Sequence, residues 1–347
     1  MLIIDNEKHS IHSPDKEYFM QKVIPYNDDP RRIDSIRKGL SRIDKLEWTT
    51  PSLIDENYLK KIHNADYIDY IKNVSKTAEN GSTYRTPFVI PSYPERLRGK
   101  TRQQDRVCYY AMDVTSPIGA GTYQAAIYSA SIAYSGAHHL LKGKQRVVYG
   151  LCRPPGHHAE SKRYGGYCYF NNAAVGAVCL SEFGKVTILD IDFHHGNGIQ
   201  DIFYESDEVR YISIHADPLE SYPYFCGYPD ETGAGKGKGN NFNIVVPKNT
   251  DDNKYMEALE IAAKHIEDFK TDFLIVSVGY DTYIDDPVGG LLVTENGFRR
   301  IGAFISSLHL PTLIVQEGGY NIDKLGDLAN EFVSGFIQKP EDDNEKS

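Results

Sequence analysis

Asp192 and His194 stand two residues apart in DIDFHHGNG, residues 190–198. In an extended segment that spacing turns both side chains to one side. A carboxylate oxygen with an imidazole nitrogen suits Zn²⁺ or a similar divalent ion. A third ligand has to come from elsewhere. Asp281 is the best candidate, because it ends GYD after the apolar run FLIVSV and has no local positive partner. Two aspartates and one histidine leave room for water and a substrate oxygen, as a catalytic metal site requires. An isolated D-x-H is more often a buried hydrogen-bonded pair; the neighbouring polar clusters reverse those odds.

The first of these clusters is CRPPGHH, ending at His157 and His158. Its prolines set an extended approach and Gly156 allows a tight turn. A neutral imidazole beside a metal ion can take a proton from water and return it to a leaving amine. Asp190 can orient one ring and Asn197 the other, which leaves His195 to structural hydrogen bonds. Tyr320 follows Gly318 and Gly319 in EGGY. Its hydroxyl could meet a developing oxyanion; taken alone, it could equally be one of the 25 tyrosines packed on a surface. Gly165–Gly166 precedes Tyr167, Cys168, Tyr169 and Phe170, a close backbone approach with an aromatic wall for a slender substrate. Neither this loop nor GAGKGKGNN at 233–241 is a phosphate loop, since no G-K-[ST] or G-x-G-x-x-G is present.

These clusters need a scaffold that brings them together. Short β-branched runs predict strands at Arg146–Leu151, Val186–Ile191, Val209–Ile214, Phe242–Val246, Phe273–Val278 and Thr312–Gln316. Helical periodicity predicts Tyr123–Leu141, Asn171–Phe183, Asn253–Phe269, Glu295–Leu308 and Ile322–Ile337 between and after them. Such alternation reads as one α/β domain, a mostly parallel sheet with helices on both faces. The clusters follow the strands, and open α/β sheets bind ligands at the carboxyl ends of their strands. They should therefore converge on one edge. The stretch 81–122, rich in Pro, Gly, Tyr and Arg, reads as a functional or interface loop. The acidic tail 339–347 reads as disordered.

Composition narrows the function. Of 347 residues, 38 are Lys or Arg and 48 Asp or Glu, a formal charge of -10. That disfavours non-specific nucleic-acid binding and is compatible with a cationic substrate. The apolar runs fall well short of the ~18 residues of a membrane span. MLIIDNEKHS reaches charge at Asp5, with no signal-peptide core. Five cysteines with no C-x-x-C pair suit reduced thiols and predict a cytoplasmic protein.

RPPGHH, GGYCYFNNAA, DIDFHHGNG, GYD and EGGY, in this order, resemble the arginase–deacetylase superfamily. More narrowly, they are similar to the zinc-dependent histone deacetylases and acetylpolyamine amidohydrolases. The resemblance spans about Met1 to Ile337 and implies one domain, 1–338, around an eight-stranded sheet. It implies a zinc ion on Asp192, His194 and Asp281, with His158 as general base and acid and His157 as its electrostatic partner. Asp190 would hold His157, and Tyr320 would polarise the acetyl carbonyl. It also implies a structural potassium ion on Asp190, Asp192, His194, Ser213 and Ile214, and a second near Phe203, Ser206 and Val209. The D-x-D-x-H order, with Tyr283 two residues after Asp281, departs from the two-metal arginases. Asn197 stands where class I deacetylases have Asp.

The loop 81–122 and HADPLESYPYF at 215–225 look like the acetylpolyamine branch, where the loop dimerises the enzyme and narrows its tunnel. The resemblance thus implies a homodimer acting on a small cationic acetylated amine, with acetyl-lysine protein as the alternative substrate. Gly166, Tyr167 and Tyr222 would line the tunnel. Some members place a Glu in the insertion loop against the distal ammonium; here Thr115 stands there, with Asp113 two residues before. Asp113 either takes over that contact or caps its own loop.

Overall fold

Successive residues along each central strand feed two different cores. Leu2 and Ile4, Val148, Ile275, Leu313 and Val315 pack on one face. Ile3, Tyr149, Leu274, Val276 and Ile314 pack on the other. This period of two, apolar on both sides, marks strands covered by helices on each face. The computed structural model describes residues 1–19, 22–78 and 107–337. The tail 339–347 and most of the 81–122 loop lie outside the described residues.

The strands are β1 (Leu2–Ile4), β2 (Lys16–Phe19), β3 (Lys22–Pro25), β4 (Glu47–Thr49), β5 (Val147–Gly150), β6 (Val186–Asp190), β7 (Val209–Ala216), β8 (Asn241–Val246), β9 (Phe273–Val278) and β10 (Thr312–Gln316). Eight of them form one sheet in the order β4-β1-β5-β10-β9-β6-β7-β8. Every pairing in it is parallel. β2 and β3 form a separate antiparallel hairpin.

The helices are α1 (Arg31–Leu40), α2 (Glu56–Leu59), α3 (Ala65–Ala78), α4 (Val107–Tyr110), α5 (Thr122–Leu141), α6 (Asn172–Ser181), α7 (Asn197–Phe203), α8 (Asp252–Phe269), α9 (Glu295–Ser307) and α10 (Ile322–Ile337). α3, α5 and α6 cover the first face, α5 with the small residues Ala126, Ala130, Ala133 and Ala137 that allow close approach. α1, α8, α9 and α10 cover the second, α1 through Ile33, Ile36 and Leu40. Side-chain caps start several of them: Asn171 accepts from Ala174 N, Asp251 from Lys254 N and Thr294 from Gly297 N. Such caps contribute ~1 kcal/mol each. No helix among the described residues is long and apolar enough to cross a membrane.

The predicted strands and helices all form, with ends shifted by two residues or fewer. β1 to β4, α1 to α4 and α7 are not among the elements that periodicity predicts, and α4 lies within the stretch 81–122 read as a loop.

Candidate active site

Neighbours in the sheet decide where the site falls. β5, β10, β9 and β6 lie side by side and run the same way. Their carboxyl ends therefore deliver His157–His158, Tyr320, Asp281 and Asp192–His194 to one edge.

His194 Nδ1 lies 3.2 Å from Asp192 Oδ1 and 3.1 Å from Asp281 Oδ2. The ligating atoms of all three residues lie within 4.8 Å of one another. Tetrahedral zinc with bonds of ~2.0–2.1 Å sets its ligand atoms ~3.3 Å apart, so the donor set fits such an ion in chemistry and in spacing. Both aspartates are fully buried, and among the described residues neither pairs with a Lys or Arg. Buried carboxylates without a cationic partner are strongly unfavourable. Burial, then the Asp192 carboxylate, pushes Asp281 up to about 7. Burial works against the His194 imidazolium, but hydrogen bonds to both aspartates outweigh it and raise that pKa to about 9. A divalent cation would relieve both.

The chain is tight here by necessity. Gly318 N donates to Asp192 Oδ2 at 2.9 Å, and a Cβ at Gly318 would stand 2.4 Å from Asp281 Oδ2. Only glycine lets the EGGY turn approach the carboxylates this closely.

The adjacent histidines are pushed in opposite directions by their surroundings. His157 Nδ1 bonds Asp190 Oδ2 at 3.1 Å, and that oxygen also accepts from Tyr211 OH at 2.9 Å. Burial disfavours the His157 imidazolium, but the Asp192 and Asp190 carboxylates prevail and raise its pKa to about 10. His158 Nδ1 faces the neutral Asn197 Oδ1 at 2.8 Å. Burial first, then the charges of His157 and His194, hold His158 well below the usual histidine range.

Aromatic side chains wall the approach. Tyr222 stands edge-on to His158, centroids 4.8 Å apart, and Tyr167 lies 5.6 Å from Tyr320. Gly166 makes the bend between them at φ +55°, where a Cβ would stand 2.2 Å from His158 Cδ2. Each wall tyrosine donates its hydroxyl to a carboxylate, Tyr222 to Asp113 at 2.8 Å and Tyr167 to Glu17 at 3.0 Å. Asp113 also accepts from Thr115 N and Gly166 N. Its carboxylate is thus engaged by protein donors, capping its loop and bracing the wall. Ser213 lies opposite Asp190 in the β6–β7 register, with Ile214 next along the strand. His195 faces Cys226 Sγ at 3.6 Å, away from the cluster.

Sequence reasoning missed several residues that act on this edge. Glu17 comes from β2 and is buried; burial raises it to about 7 against hydrogen bonds from Tyr167 and Asn27. Asp28 binds the buried Arg32 and Arg153. Arg32 donates to the carbonyls of Glu317 and Gly319, both at 2.6 Å, and its guanidinium lies 4.7 Å from the Tyr320 ring centroid. Glu317 Oε2 accepts from the backbone of Gly156 and His157. Glu160 lies against Asn197.

Hydrolysis of an amide needs one group to accept a proton while another holds a charge against the forming oxyanion. A metal-type donor set and two adjacent buried histidines meet at the edge of a parallel sheet. The family model of the histone deacetylase domain matches residues 26–336, and the chain belongs to that family. It is 37% identical over 342 residues to acetylpolyamine amidohydrolase 2 of Pseudomonas aeruginosa, covering 97% of this chain and 98% of that protein. It is 39% identical over 280 residues to an acetylpolyamine amidohydrolase of Burkholderia pseudomallei, covering 79% and 81%. The crystal structure of acetylpolyamine aminohydrolase from Burkholderia pseudomallei superposes with a TM-score of 0.91 at 33% identity, over 97% of this chain and 98% of that one.

Proposed function

We propose that this chain hydrolyses the acetyl amide of small cationic amines, acetylated polyamines being the substrate class, and releases free amine and acetate. The observation that carries the substrate half is Glu17. Its Oε1 takes hydrogen bonds from Tyr167 and Asn27, whereas its buried Oε2 has no partner among the described residues. A partnerless carboxylate oxygen behind the aromatic wall favours a cation passing that wall. The names of the similar proteins point the same way.

For the chemistry, Asp192, His194 and Asp281 would hold one zinc ion. When bound, the ion supplies Lewis-acid polarisation of the acetyl carbonyl and a more acidic water. The protein's own groups do the rest. His158 takes a proton at Nε2 as water adds to the acetyl carbon, and gives it to the amine nitrogen as the C–N bond breaks. His157 keeps its charge beside it, held by Asp190. The Tyr320 hydroxyl donates to the oxygen on which negative charge develops. The same reading assigns structural potassium to Asp190, Asp192, His194, Ser213 and Ile214, and a second ion near Phe203, Ser206 and Val209; of the first set, the β6–β7 register sets Asp190 beside Ser213. It also assigns a homodimer, with the 81–122 loop narrowing the tunnel, and a cytoplasmic location.

The substrate test compares kcat/KM on acetylputrescine, acetylspermidine and an acetyl-lysine peptide. A preference of ~100-fold or more for the free amines is expected, and a preference for the peptide would overturn the reading. Glu17→Gln should lower kcat/KM on acetylputrescine about tenfold, ~1.4 kcal/mol, and leave the neutral isostere N-pentylacetamide nearly unchanged. The same ratio should depend on pH. Below about pH 7 Glu17 gains a proton and loses its charge, so the preference for the cation falls on acidification. In Glu17→Gln the ratio should be flat across that range.

Metal content is checked separately. Elemental analysis should find about one zinc per chain in the native protein and almost none in Asp281→Ala. Equal content in both would remove Asp281 from the ligand set.

A further inference from the structure

The orientation of the Asn197 amide is dictated by its surroundings. Its Nδ2 faces Glu160 Oε1 at 3.1 Å, Met112 Sδ at 3.2 Å and the His158 carbonyl at 3.3 Å. A carboxylate, a thioether and a carbonyl can only accept, so the nitrogen must lie on that side. The oxygen then faces His158 Nδ1 at 2.8 Å, and that ring nitrogen must donate. Glu160 is itself fixed: it is 3% exposed, Arg163 Nε donates to its Oε2 at 2.6 Å, and its backbone is tied to Arg163 O and to His63.

Building on the proposed amide hydrolysis, we propose that Glu160 is a positioning residue that acts through Asn197. It holds His158 in the Nδ1–H tautomer, with the lone pair on Nε2, and so requires an amide rather than a carboxylate at position 197. Take the Glu160 acceptor away and the amide can turn over. Its NH₂ then faces His158 Nδ1, which must become the acceptor, and the proton moves to Nε2, the atom the base needs bare. A carboxylate at position 197 would set two carboxylates ~3 Å apart, an arrangement in which both cannot stay ionised. This accounts for Asn197 as the consequence of a glutamate three residues into the loop after His157.

The experiment combines ¹⁵N NMR of histidine-labelled protein, with the His158 signal assigned by His158→Gln, and steady-state kinetics. Glu160→Met should lower kcat ~10–100-fold with KM little changed, and should shift the His158 signal from Nδ1–H toward Nε2–H. Glu160→Gln can turn its one amide oxygen to Asn197 as the part-exposed Arg163 guanidinium swings to solvent, and should keep kcat within about threefold. Asn197→Asp should lose more than tenfold in kcat, and at least half of that loss, on a logarithmic scale, should return when it is combined with Glu160→Gln. Should Glu160→Met keep the native kcat and an Nδ1–H His158, or should Asn197→Asp behave alike in both backgrounds, the proposal falls. The NMR readout needs no substrate. It therefore stands or falls apart from the identity of the acetylated amine. Thermal melting of each variant separates loss of fold from loss of tautomer.

Discussion

Tyr320→Phe is expected to lower kcat on acetylputrescine by ~10²–10³, the effect of losing one donor to a developing oxyanion, with KM little changed. The substitution removes one oxygen and leaves the rest of the packing in place. The ring is 8% exposed, and Phe retains its contacts with Tyr167 and with the Arg32 guanidinium. The backbone that carries it is held independently, because Tyr320 N and Asn321 N donate to Asp286 Oδ2 at 2.7 and 3.1 Å. Burial drives the Tyr320 hydroxyl well above the usual tyrosine range, and the nearby Arg32 only partly offsets it. The group is therefore a neutral O–H donor throughout the pH range in which the enzyme would be assayed. The check is steady-state kinetics beside a thermal melt. A Phe variant with native stability and a kcat within threefold of the parent would exclude Tyr320 from the reaction.

The residues that would perform this chemistry were legible because they sit in the strand-to-helix turns of a parallel sheet. His157, Asp192, Asp281 and Tyr320 each follow a β-branched run, and the ordering of β5, β10, β9 and β6 as neighbours makes their turns converge. β1 and β4 escaped notice because each is only three residues long. β4 is also an edge strand whose Glu47 and Trp48 are exposed, so it carries no buried signature. α1 is a different case. RRIDSIRKGL is charged overall, yet Ile33, Ile36 and Leu40 form the i, i+3, i+7 stripe of a helix packed on one side. That periodicity stands in the sequence, set among charged residues.

Two of the supporting residues, Arg32 and Glu17, had no local signal. Arg32 meets Gly319 across 287 positions of sequence, and nothing near Arg32 announces that it will be buried. Glu17 lies in SPDKEYF, which reads as solvent-exposed, and only the hairpin of β2 and β3 turns it inward. Glu160 and Glu317 did carry a clue. Each is a carboxylate inside or beside a motif whose other residues are buried, and an acid in such company has to be partnered or functional.

The largest effect on stability is expected from Asp28→Ala. Asp28 is fully buried and joins two buried guanidinium groups, Arg32 through Nη1 and Arg153 through Nε at 3.2 Å. Its backbone carbonyl also accepts from Arg153 Nη2. Arg153 precedes the histidine turn and donates to the carbonyls of His9 and His12 at 2.6 and 2.9 Å. Arg32 holds the carbonyls on either side of Gly318. One carboxylate thus links the N-terminal segment, the His157–His158 turn and the Tyr320 turn. Removing it leaves two charges buried without a counter-ion, a loss of ~3–5 kcal/mol. At ~2.1 cal/mol/K per residue of unfolding entropy, a chain of 347 residues would lose ~4–7 °C in Tm. Asp28→Asn keeps the one oxygen, Oδ1, to which both arginines donate but removes the charge, and should lose roughly half as much. Because the released turn carries Tyr320, kcat of Asp28→Ala should fall even well below its melting range, whereas a triad that only stabilised the fold would leave kcat alone. A melt within 1 °C of the native protein would show that the backbone carbonyls hold both arginines without Asp28, and that the link between the two turns runs through Glu317 and its bonds to Gly156 and His157 instead.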